Sequence, residues 1–394
     1  MQTLMLVTLL ASIDLGAAQR AHAELQAMCA ADKGRLWGRE VCGRIVFAEA
    51  GTRDAVRLHG EQVEQTRIPD SIGIANTAVQ WDGEEWTMVM WPLPQGTVAR
   101  RALLGHESFH RIQDELGLKM TSPANAHLEG AEARALMRLE WRALARALAT
   151  RDEEAVADAV LFRMRRHTLA AGAGEEERLL EMNEGLAEYT GYALAVPHVR
   201  ERIAALVRKL ANAEKGERFA RSFAYTTGPA WGTLFEMHDP RWTRRVKAGD
   251  DFVTLAMRTR WYVPDHRAPR LGAYDGEAVF AEERSREEKK KAIVAELRTK
   301  FVDGPVLTIP LLSMQFTFDP NEVQPLEGLG SVYRSMEVRD VWGKIVVTGG
   351  GLISADFKRL IVPAAADGYE LILADGWKVV DGARAGDKSV SKMK

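Results

Sequence analysis

The chain has 394 residues with a formal net charge of −2 at pH 7; 46% of the residues are hydrophobic and 27% are charged. This composition is typical of a soluble globular protein with two or three domains, and the near-neutral charge gives no reason to expect a nucleic acid or an anionic membrane as a partner. No run approaches the roughly 18 apolar residues needed to cross a bilayer, so we expect no integral membrane span.

The N-terminal segment, residues 1–41, has features of a signal peptide. Residues 4–11 (LMLVTLLA) form a short apolar run, and small residues around Ala18 and Ala21 follow it as candidate cleavage sites. The positively charged start of an ordinary secretory signal is missing, and a buried N-terminal helix would have a similar composition. The layout favours export to the periplasm or the extracellular space over a cytoplasmic location.

Two cysteines, Cys29 and Cys42, bear on the same question. They enclose a short segment in which Gly34 and Gly38 allow the chain to turn. In an oxidising compartment such a pair is a natural disulfide that stabilises the fold by about 3 kcal/mol, whereas in the cytosol it would be two thiols. Because the candidate signal peptide indicates an oxidising compartment, we predict the disulfide.

Residues 42–94 have the composition and alternation that are typical of β-strands. We predict strands at residues 44–48, 72–81 and 84–94. The dipeptide Asp82-Gly83 is a strong hairpin signal and should join the second strand to the third. A small β-sheet is therefore expected at the start of the domain.

A helical period replaces this pattern from residue 96 to about residue 213. Residues 281–303 read as a charged helical linker, and residues 304–394 return to short strands separated by Gly and Asp turns. We therefore predict an α+β protein. Its first domain, residues 42–280, has a small β-sheet followed by a mostly helical region, and its C-terminal β-domain is small.

A candidate metal site lies in the segment HESFH, where His106 and His110 are four residues apart. In a helix over residues 98–116 these side chains lie on one face, one turn from each other, with Glu107 beside them. A tetrahedral zinc needs neutral imidazoles that converge from one side and an open position for water. A carboxylate at Glu107 can reach that water and take its proton, so the pattern predicts two zinc ligands and a general base.

A second segment, residues 182–191 (MNEGLAEYTG), contains a candidate third ligand. Its Asn183-Glu184-Gly185 and the following Glu188-Tyr189 resemble the glutamate helix of the gluzincin metallopeptidases. The resemblance extends from about residue 72 to residue 237 and implies a zincin-like peptidase domain. It also implies that Glu184 is the third zinc ligand and that Glu188 is the acid that hydrogen-bonds a ligand histidine.

The spacing of this segment departs from the familiar pattern. Thermolysin- and aminopeptidase-type members have the glutamate about 20 residues after the second histidine, whereas Glu184 follows His110 by 74 residues. Glu129 and Glu132 lie nearer the short spacing and are the rival third ligands. We prefer Glu184, because the rivals belong to a segment that reads as a long amphipathic helix and lack the Asn-Glu-Gly motif with its following acid.

Two further features fit the resemblance. The strand predicted at residues 84–94 precedes the ligand helix, where an edge strand of zincins binds extended substrate by β-augmentation. Gluzincins also commonly supply a Tyr or His side chain that stabilises the oxyanion of the tetrahedral intermediate, and Tyr225 is our candidate for it. Tyr189, Tyr192 and His198 compete for this role.

The sequence therefore predicts a zinc-dependent metallopeptidase that acts on a peptide or protein, with Glu107 activating the water. The aminopeptidase branch recognises a free amine through a Gly-x-Met-Glu-Asn motif; residues 73–77 (GIANT) lack the glutamate, which favours an endopeptidase. The alternative is a catalytically silent zincin-fold protein that uses its cleft and its C-terminal β-domain to bind other proteins.

Overall fold

The computed structural model describes residues 13–258, 268–319, 322–365 and 367–393. The apolar run at residues 4–11 lies outside these ranges, and the signal peptide stays a prediction. The chain divides into two compact units, Met1–Arg284 and Ser285–Lys394. The first unit contains a small sheet followed by helices and the second is mostly β, which confirms the α+β class.

The sheet of the first unit has five strands. They are β1 (Ile45–Glu49), β2 (Asp54–His59), β3 (Gln62–Arg67), β4 (Thr77–Trp81) and β5 (Glu84–Trp91), in the spatial order β3-β2-β1-β5-β4. β1 and β5 are parallel, and the other neighbours are antiparallel. β2 and β3 form a hairpin that the sequence analysis did not identify.

The hairpin between β4 and β5 confirms one prediction and corrects another. Asp82 and Gly83 form its two-residue turn, both with positive φ, and Trp81 pairs with Glu84. The strand expected at residues 84–94 ends at Trp91. It is not an edge strand, because β1 and β4 pair with its two sides; β4 forms the edge instead.

Helices make up most of the remainder of the first unit. They are α1 (Leu15–Asp32), α2 (Thr97–Gln113), α3 (Ala131–Thr150), α4 (Glu153–His167), α5 (Ala173–Leu180), α6 (Leu186–Ala195), α7 (Val199–Ala213), α8 (Ala224–His238) and α9 (Phe252–Arg258). A π-helical turn, Glu181–Gly185, joins α5 to α6. Buried apolar residues of these helices and of β1, β2 and β5 form one continuous core.

The first helix belongs to this core. Ala18, Ala21 and Leu25 of α1 are buried, so the small residues that suggested cleavage sites lie inside a packed helix. A disulfide joins Cys29 near the end of α1 to Cys42, with a Cα–Cα distance of 6.0 Å. The structure thus contains the predicted bridge, and export remains a prediction.

Two glycine contacts allow the helices around the candidate site to approach closely. At the crossing of α2 and α6, a Cβ on Gly191 would overlap the carbonyl oxygen of Ala102, and one on Gly105 would lie 3.0 Å from the Cα of Gly191. Where the π turn meets α8, a Cβ on Gly228 would overlap the carbonyl oxygen of Gly185. Only glycine permits this backbone contact.

The second unit contains two sheets. The boundary at residue 284 falls within helix α10 (Gly276–Arg298), which is followed by a π turn, Thr299–Asp303. Its strands are β6 (Val306–Pro310), β7 (Gln315–Phe318), β8 (Val323–Leu326), β9 (Gly330–Tyr333), β10 (Met336–Asp340), β11 (Gly343–Val347), β12 (Gly351–Ser354), β13 (Arg359–Pro363), β14 (Tyr369–Leu373), β15 (Trp377–Asp381) and β16 (Lys388–Lys392). They form a four-stranded sheet, β14-β11-β10-β7, and a seven-stranded sheet, β15-β16-β6-β13-β12-β9-β8.

Across the described parts of the chain, none of the helices combines the length and the apolar character that crossing a membrane requires.

Candidate metal centre

Two histidines and a glutamate converge in the lining of a cavity of about 420 Å³ in the first unit. His106 and His110 extend from α2, and Glu184 extends from the π turn. The Nε2 atoms of the two histidines are 3.1 Å apart. The Oε2 atom of Glu184 lies 3.2 Å from Nε2 of His106 and 3.6 Å from Nε2 of His110. The structure therefore brings the three predicted ligands together.

The Nδ1 atoms of both histidines form hydrogen bonds on the side of the ring that faces away from the site. Nδ1 of His106 donates to Oε2 of Glu188 at 2.9 Å. Nδ1 of His110 lies 2.7 Å from Oε1 of Gln113, whose Nε2 donates to Oδ1 of Asn183 at 3.1 Å. Because the Gln113 oxygen must accept, Nδ1 of His110 carries the proton. Nε2 of His110 is then left with a lone pair that faces the site, and Nε2 of His106 faces the same point.

This donor set fits a metal cation. Two imidazole Nε2 atoms and a carboxylate oxygen face one another at 3.1–3.6 Å, and a metal ion can take the place of the proton that His106 carries between them. A tetrahedral ion bound at 2.0–2.2 Å separates its ligand atoms by about 3.3 Å. The buried group formed by His106, Glu107 and His110 can hold a metal ion, and Oε2 of Glu184 lies within 3.6 Å of Nε2 of both histidines.

The electrostatics of the site favour positive charge at the same point. Burial lowers the pKa of His106, but hydrogen bonds to Glu184 and Glu188 outweigh burial and raise it to about 10. Burial raises the pKa of Glu184, but its contacts with His106 and His110 hold it well below its usual range. The carboxylates therefore remain ionised and draw a cation towards the imidazoles.

Glu107 lies beside His106, His110 and Glu184 without a hydrogen bond to them. Its side chain is buried, and Oε1 is 3.9 Å from Nε2 of His106. Oε2 has no hydrogen-bond partner among the described residues. Burial raises the pKa of Glu107, which brings this carboxylate closer to the proton affinity that a general base needs. An unbonded carboxylate oxygen at this position is available to a water molecule.

Tyr225, on α8, is the predicted tyrosine that reaches the site. Its hydroxyl donates to Oε2 of Glu184 at 2.7 Å, and its ring stacks on His106 with centroids 5.5 Å apart. Burial and the neighbouring Glu184 raise its pKa, so the hydroxyl stays protonated as a donor. The helix continues through Pro229, four residues after Tyr225.

The three competitors of Tyr225 have other surroundings. Tyr189 is buried away from the cavity and donates to Oε2 of Glu236 at 2.9 Å. Tyr192 lines the cavity, where the Nζ of Lys209 lies 3.5 Å from its hydroxyl. His198 is exposed and precedes α7.

The rival third ligands, Glu129 and Glu132, are exposed. Glu132 pairs with Arg165 at 3.0 Å, a surface contact in which both side chains are 48% exposed. Glu129 lies in a short 3-10 turn, Ala126–Glu129, that precedes α3. Neither lines the cavity of the metal site, whereas Glu184 does.

Sequence reasoning did not identify two residues that support the site. Gln113 lies three residues after His110 on the same helix, and this i, i+3 spacing could have suggested the contact. Lys209 donates to Oε1 of Glu188 at 2.7 Å, from α7. No local pattern connects Lys209 with the site, because the contact exists only through the packing of α7 against α3 and α8.

A larger cavity, of about 660 Å³, lies in the second unit. Its lining is mostly apolar, with Leu297, Phe301 and Val332 among the residues. Its charged lining residues are engaged: Lys300 donates to the carbonyl oxygen of Gly349, and Arg334 pairs with Glu322. None of the described residues that line this cavity is a histidine, so they offer no comparable set of ligands.

Comparisons of this chain with protein-family models, with curated proteins and with solved structures found no match.

Proposed function

We propose that the chain is a zinc-dependent metallopeptidase whose first unit is a zincin-like peptidase domain. The observation that carries the proposal is the convergence of His106 Nε2, His110 Nε2 and Glu184 Oε2, with the unbonded carboxylate of Glu107 beside them. A structural zinc has four protein ligands and no base. Three ligands with an adjacent base are typical of a catalytic site.

The donor atoms favour zinc over calcium and magnesium. Two imidazoles and one carboxylate form a nitrogen- and oxygen-based set with spacings close to those of a tetrahedral site. Calcium and magnesium prefer sites built entirely from oxygen ligands. The contacts of His106 with Glu188 and of His110 with Gln113 orient both rings, as outer partners of metal-ligating histidines commonly do.

The chain's own residues can perform the proton transfers of peptide hydrolysis. When bound, zinc would polarise the scissile carbonyl and make the attacking water more acidic. Glu107 accepts a proton from this water as the new C–O bond forms, and returns it to the amine nitrogen as the C–N bond breaks. The hydroxyl of Tyr225 lies beside the reacting position and can donate to the developing oxyanion.

The charges around the cavity favour an endopeptidase. An aminopeptidase needs a carboxylate for the free amine, but Glu107, Glu184 and Glu188 of the cavity are already assigned to base, ligand and histidine contact. A carboxypeptidase needs a free cation, and the cationic residue of the described lining, Lys209, is paired with Glu188. An internal peptide segment requires neither group.

The test combines metal analysis with hydrolysis of a library of internally quenched peptides. Purified protein should contain close to one zinc per chain and cleave peptides whose ends are blocked, and a chelator should stop the cleavage. Glu107→Gln should retain zinc while turnover falls at least about 10²-fold, because the amide cannot accept the proton. Absence of zinc, or full activity in Glu107→Gln, would refute the proposal. Bound zinc without any cleavage would favour the silent binding protein.

We also propose that the chain is exported. The Cys29–Cys42 disulfide supports this, since such bridges persist in oxidising compartments. Mass spectrometry of protein from its native source should find a chain that starts after the apolar run and is two hydrogens lighter than its reduced form. An intact start together with two alkylatable thiols would argue for the cytosol.

A further inference from the structure

Five ionised side chains are completely enclosed in the first unit, next to the metal centre. This buried ion network consists of Glu140 of α3, Arg163 and Arg166 of α4, Glu177 of α5 and Glu181 of the π turn. Each of them is at most 1% exposed. Taking charges out of water costs several kcal/mol per ion, so the position of such a network requires an explanation.

The two arginines hold the three carboxylates with multiple hydrogen bonds. Arg163 donates to both oxygens of Glu181, and to Oε1 of Glu140 at 2.7 and 3.0 Å. Arg166 donates to both oxygens of Glu177, and to Oε2 of Glu140 at 2.7 Å. Glu140 therefore bridges the arginines, and the fork geometry fixes the carboxylates in direction as well as in distance.

The network also reaches the helix that carries Tyr225. Oγ1 of Thr227 donates to Oε1 of Glu181 at 2.7 Å, and Nε1 of Trp231 donates to Oε1 of Glu140 at 2.9 Å. Thr227 follows Tyr225 by two residues on α8. Glu181 is thus bonded to α4 and α8 at once.

Glu181 is the first residue of the π turn that contains Glu184. The turn closes with a hydrogen bond from the backbone N–H of Leu186 to the carbonyl oxygen of Glu181. Turns of this kind are rare in helices and less regular than α-helix, and they occur frequently at functional sites. The close contact of Gly185 with Gly228 then sets the backbone of the turn against α8.

Buried ion pairs are weak evidence for stability, because apolar residues of similar volume often stabilise a fold as well or better. Apolar residues, however, cannot fix the orientation of their neighbours as directional hydrogen bonds do. We propose that Arg163, Glu181 and Thr227 are positioning residues that hold the π turn and α8 in register, so that Glu184 and Tyr225 meet the metal together. This inference rests on the proposed function.

The test measures zinc affinity by competition with a chromophoric chelator, and thermal stability of the zinc-free protein. Glu181→Gln keeps the size of the side chain but weakens its bonds to Arg163, and should lower zinc affinity about tenfold, as loss of supporting contacts around metal ligands does. Thr227→Val removes only the hydroxyl and should lower affinity by about threefold, within the range for one hydrogen bond. Thr227→Ser keeps the hydroxyl and should restore wild-type affinity.

A matched control comes from Arg134 and Glu283, an ion pair in which both side chains are 4% exposed. Glu283→Gln makes the same chemical change in another buried pair of the first unit. Glu283 lies outside the network and does not line the site cavity. Its variant should lose thermal stability as Glu181→Gln does, yet bind zinc within about twofold of wild type, since the ligand segments keep all their contacts.

Three outcomes decide the matter. Reduced zinc affinity in Glu181→Gln and Thr227→Val, but not in Thr227→Ser or Glu283→Gln, supports the positioning role. Wild-type affinity in Thr227→Val, or an equal loss in Glu283→Gln, overturns it while the proposed function stands. Wild-type protein that binds no zinc overturns the proposed function, and this inference with it.

Discussion

The first unit contains two clusters of buried acidic and basic side chains, and the negative charge of the carboxylates is balanced differently in each. In the buried ion network, each carboxylate oxygen receives N–H or O–H donors from Arg163, Arg166, Thr227 or a neighbouring ring. At the candidate metal centre, Nε2 of His106, Nε2 of His110 and Oε2 of Glu184 face one another. The first cluster carries permanent cations, whereas the second can exchange the proton of His106 for a metal ion from outside.

The surroundings of the two clusters agree with this difference. The carboxylates of the network are 0% exposed, whereas the side chain of Glu184 is 15% exposed and lines a cavity. An enclosed cluster cannot exchange a partner with solvent, while an open one can admit an ion and a substrate. We therefore expect the two clusters to respond differently to metal and to substitution.

The largest effect should come from removing a ligand. His110→Ala deletes one of three acceptors, and the purified variant should contain no stoichiometric zinc, because two ligands do not form a stable site. Wild-type protein should gain thermal stability when zinc is added after chelation, since the ion binds only the folded state. Differential scanning calorimetry should detect this gain in wild type and no gain in His110→Ala. An equal gain in both would place the binding site elsewhere.

Breaking the network should mainly cost stability. Arg166→Met leaves Glu177 and Glu140 without their shared partner in a fully enclosed space, and should lower the free energy of unfolding by about 3–5 kcal/mol. Urea denaturation of the zinc-free protein measures the loss. Arg165→Met is the matched control, because its exposed pair with Glu132 contributes at most about 1 kcal/mol. Equal losses in the two variants would mean that enclosure does not decide the cost.

Tyr225→Phe should separate catalysis from metal binding. The variant loses the hydroxyl that donates to Glu184 but keeps the ring that stacks on His106, so zinc should stay bound while turnover falls at least about tenfold. Steady-state hydrolysis and metal analysis of the same sample measure both quantities. Tyr189→Phe, which loses a buried hydroxyl outside the cavity, should leave turnover near wild type. If Tyr189→Phe alone reduced turnover, the assignment would be wrong.

The smallest effect is expected for Glu132→Ala. Glu132 makes a surface ion pair with Arg165, so its loss should change the free energy of unfolding by no more than about 1 kcal/mol. Zinc content should equal that of wild type. Zinc lost from Glu132→Ala but retained in Glu184→Ala would show that Glu132, not Glu184, is the ligand.

Local patterns predicted one cluster and not the other. His106, Glu107 and His110 share a helix, and a recognisable motif surrounds Glu184, so the residues of the metal centre could be named from the sequence. The spacing of 74 residues between His110 and Glu184 gave no indication that the two lie close together. Their proximity follows from the packing of α2 against α6, which meet at Gly105 and Gly191.

The buried ion network had no such signature. Arg163, Arg166 and Glu177 belong to helices rich in charge, where charged residues usually face solvent. Only the packing of α3, α4 and α5 encloses them, and that packing depends on long-range contacts. The π turn likewise has no local signature, whereas the β2–β3 hairpin is local and Gly60, with φ of 59° in its turn, was a signal that the sequence analysis missed.

The long separation of the ligands has a consequence for how the chain matures. His106 and His110 are one turn apart and come together as soon as α2 forms. Glu184 reaches them through the packing of α6 against α2, so the three side chains meet only when segments 74 residues apart in the chain come together. Tight metal binding would therefore report that this packing has formed. A chain with the proposed activity would stay inactive until then.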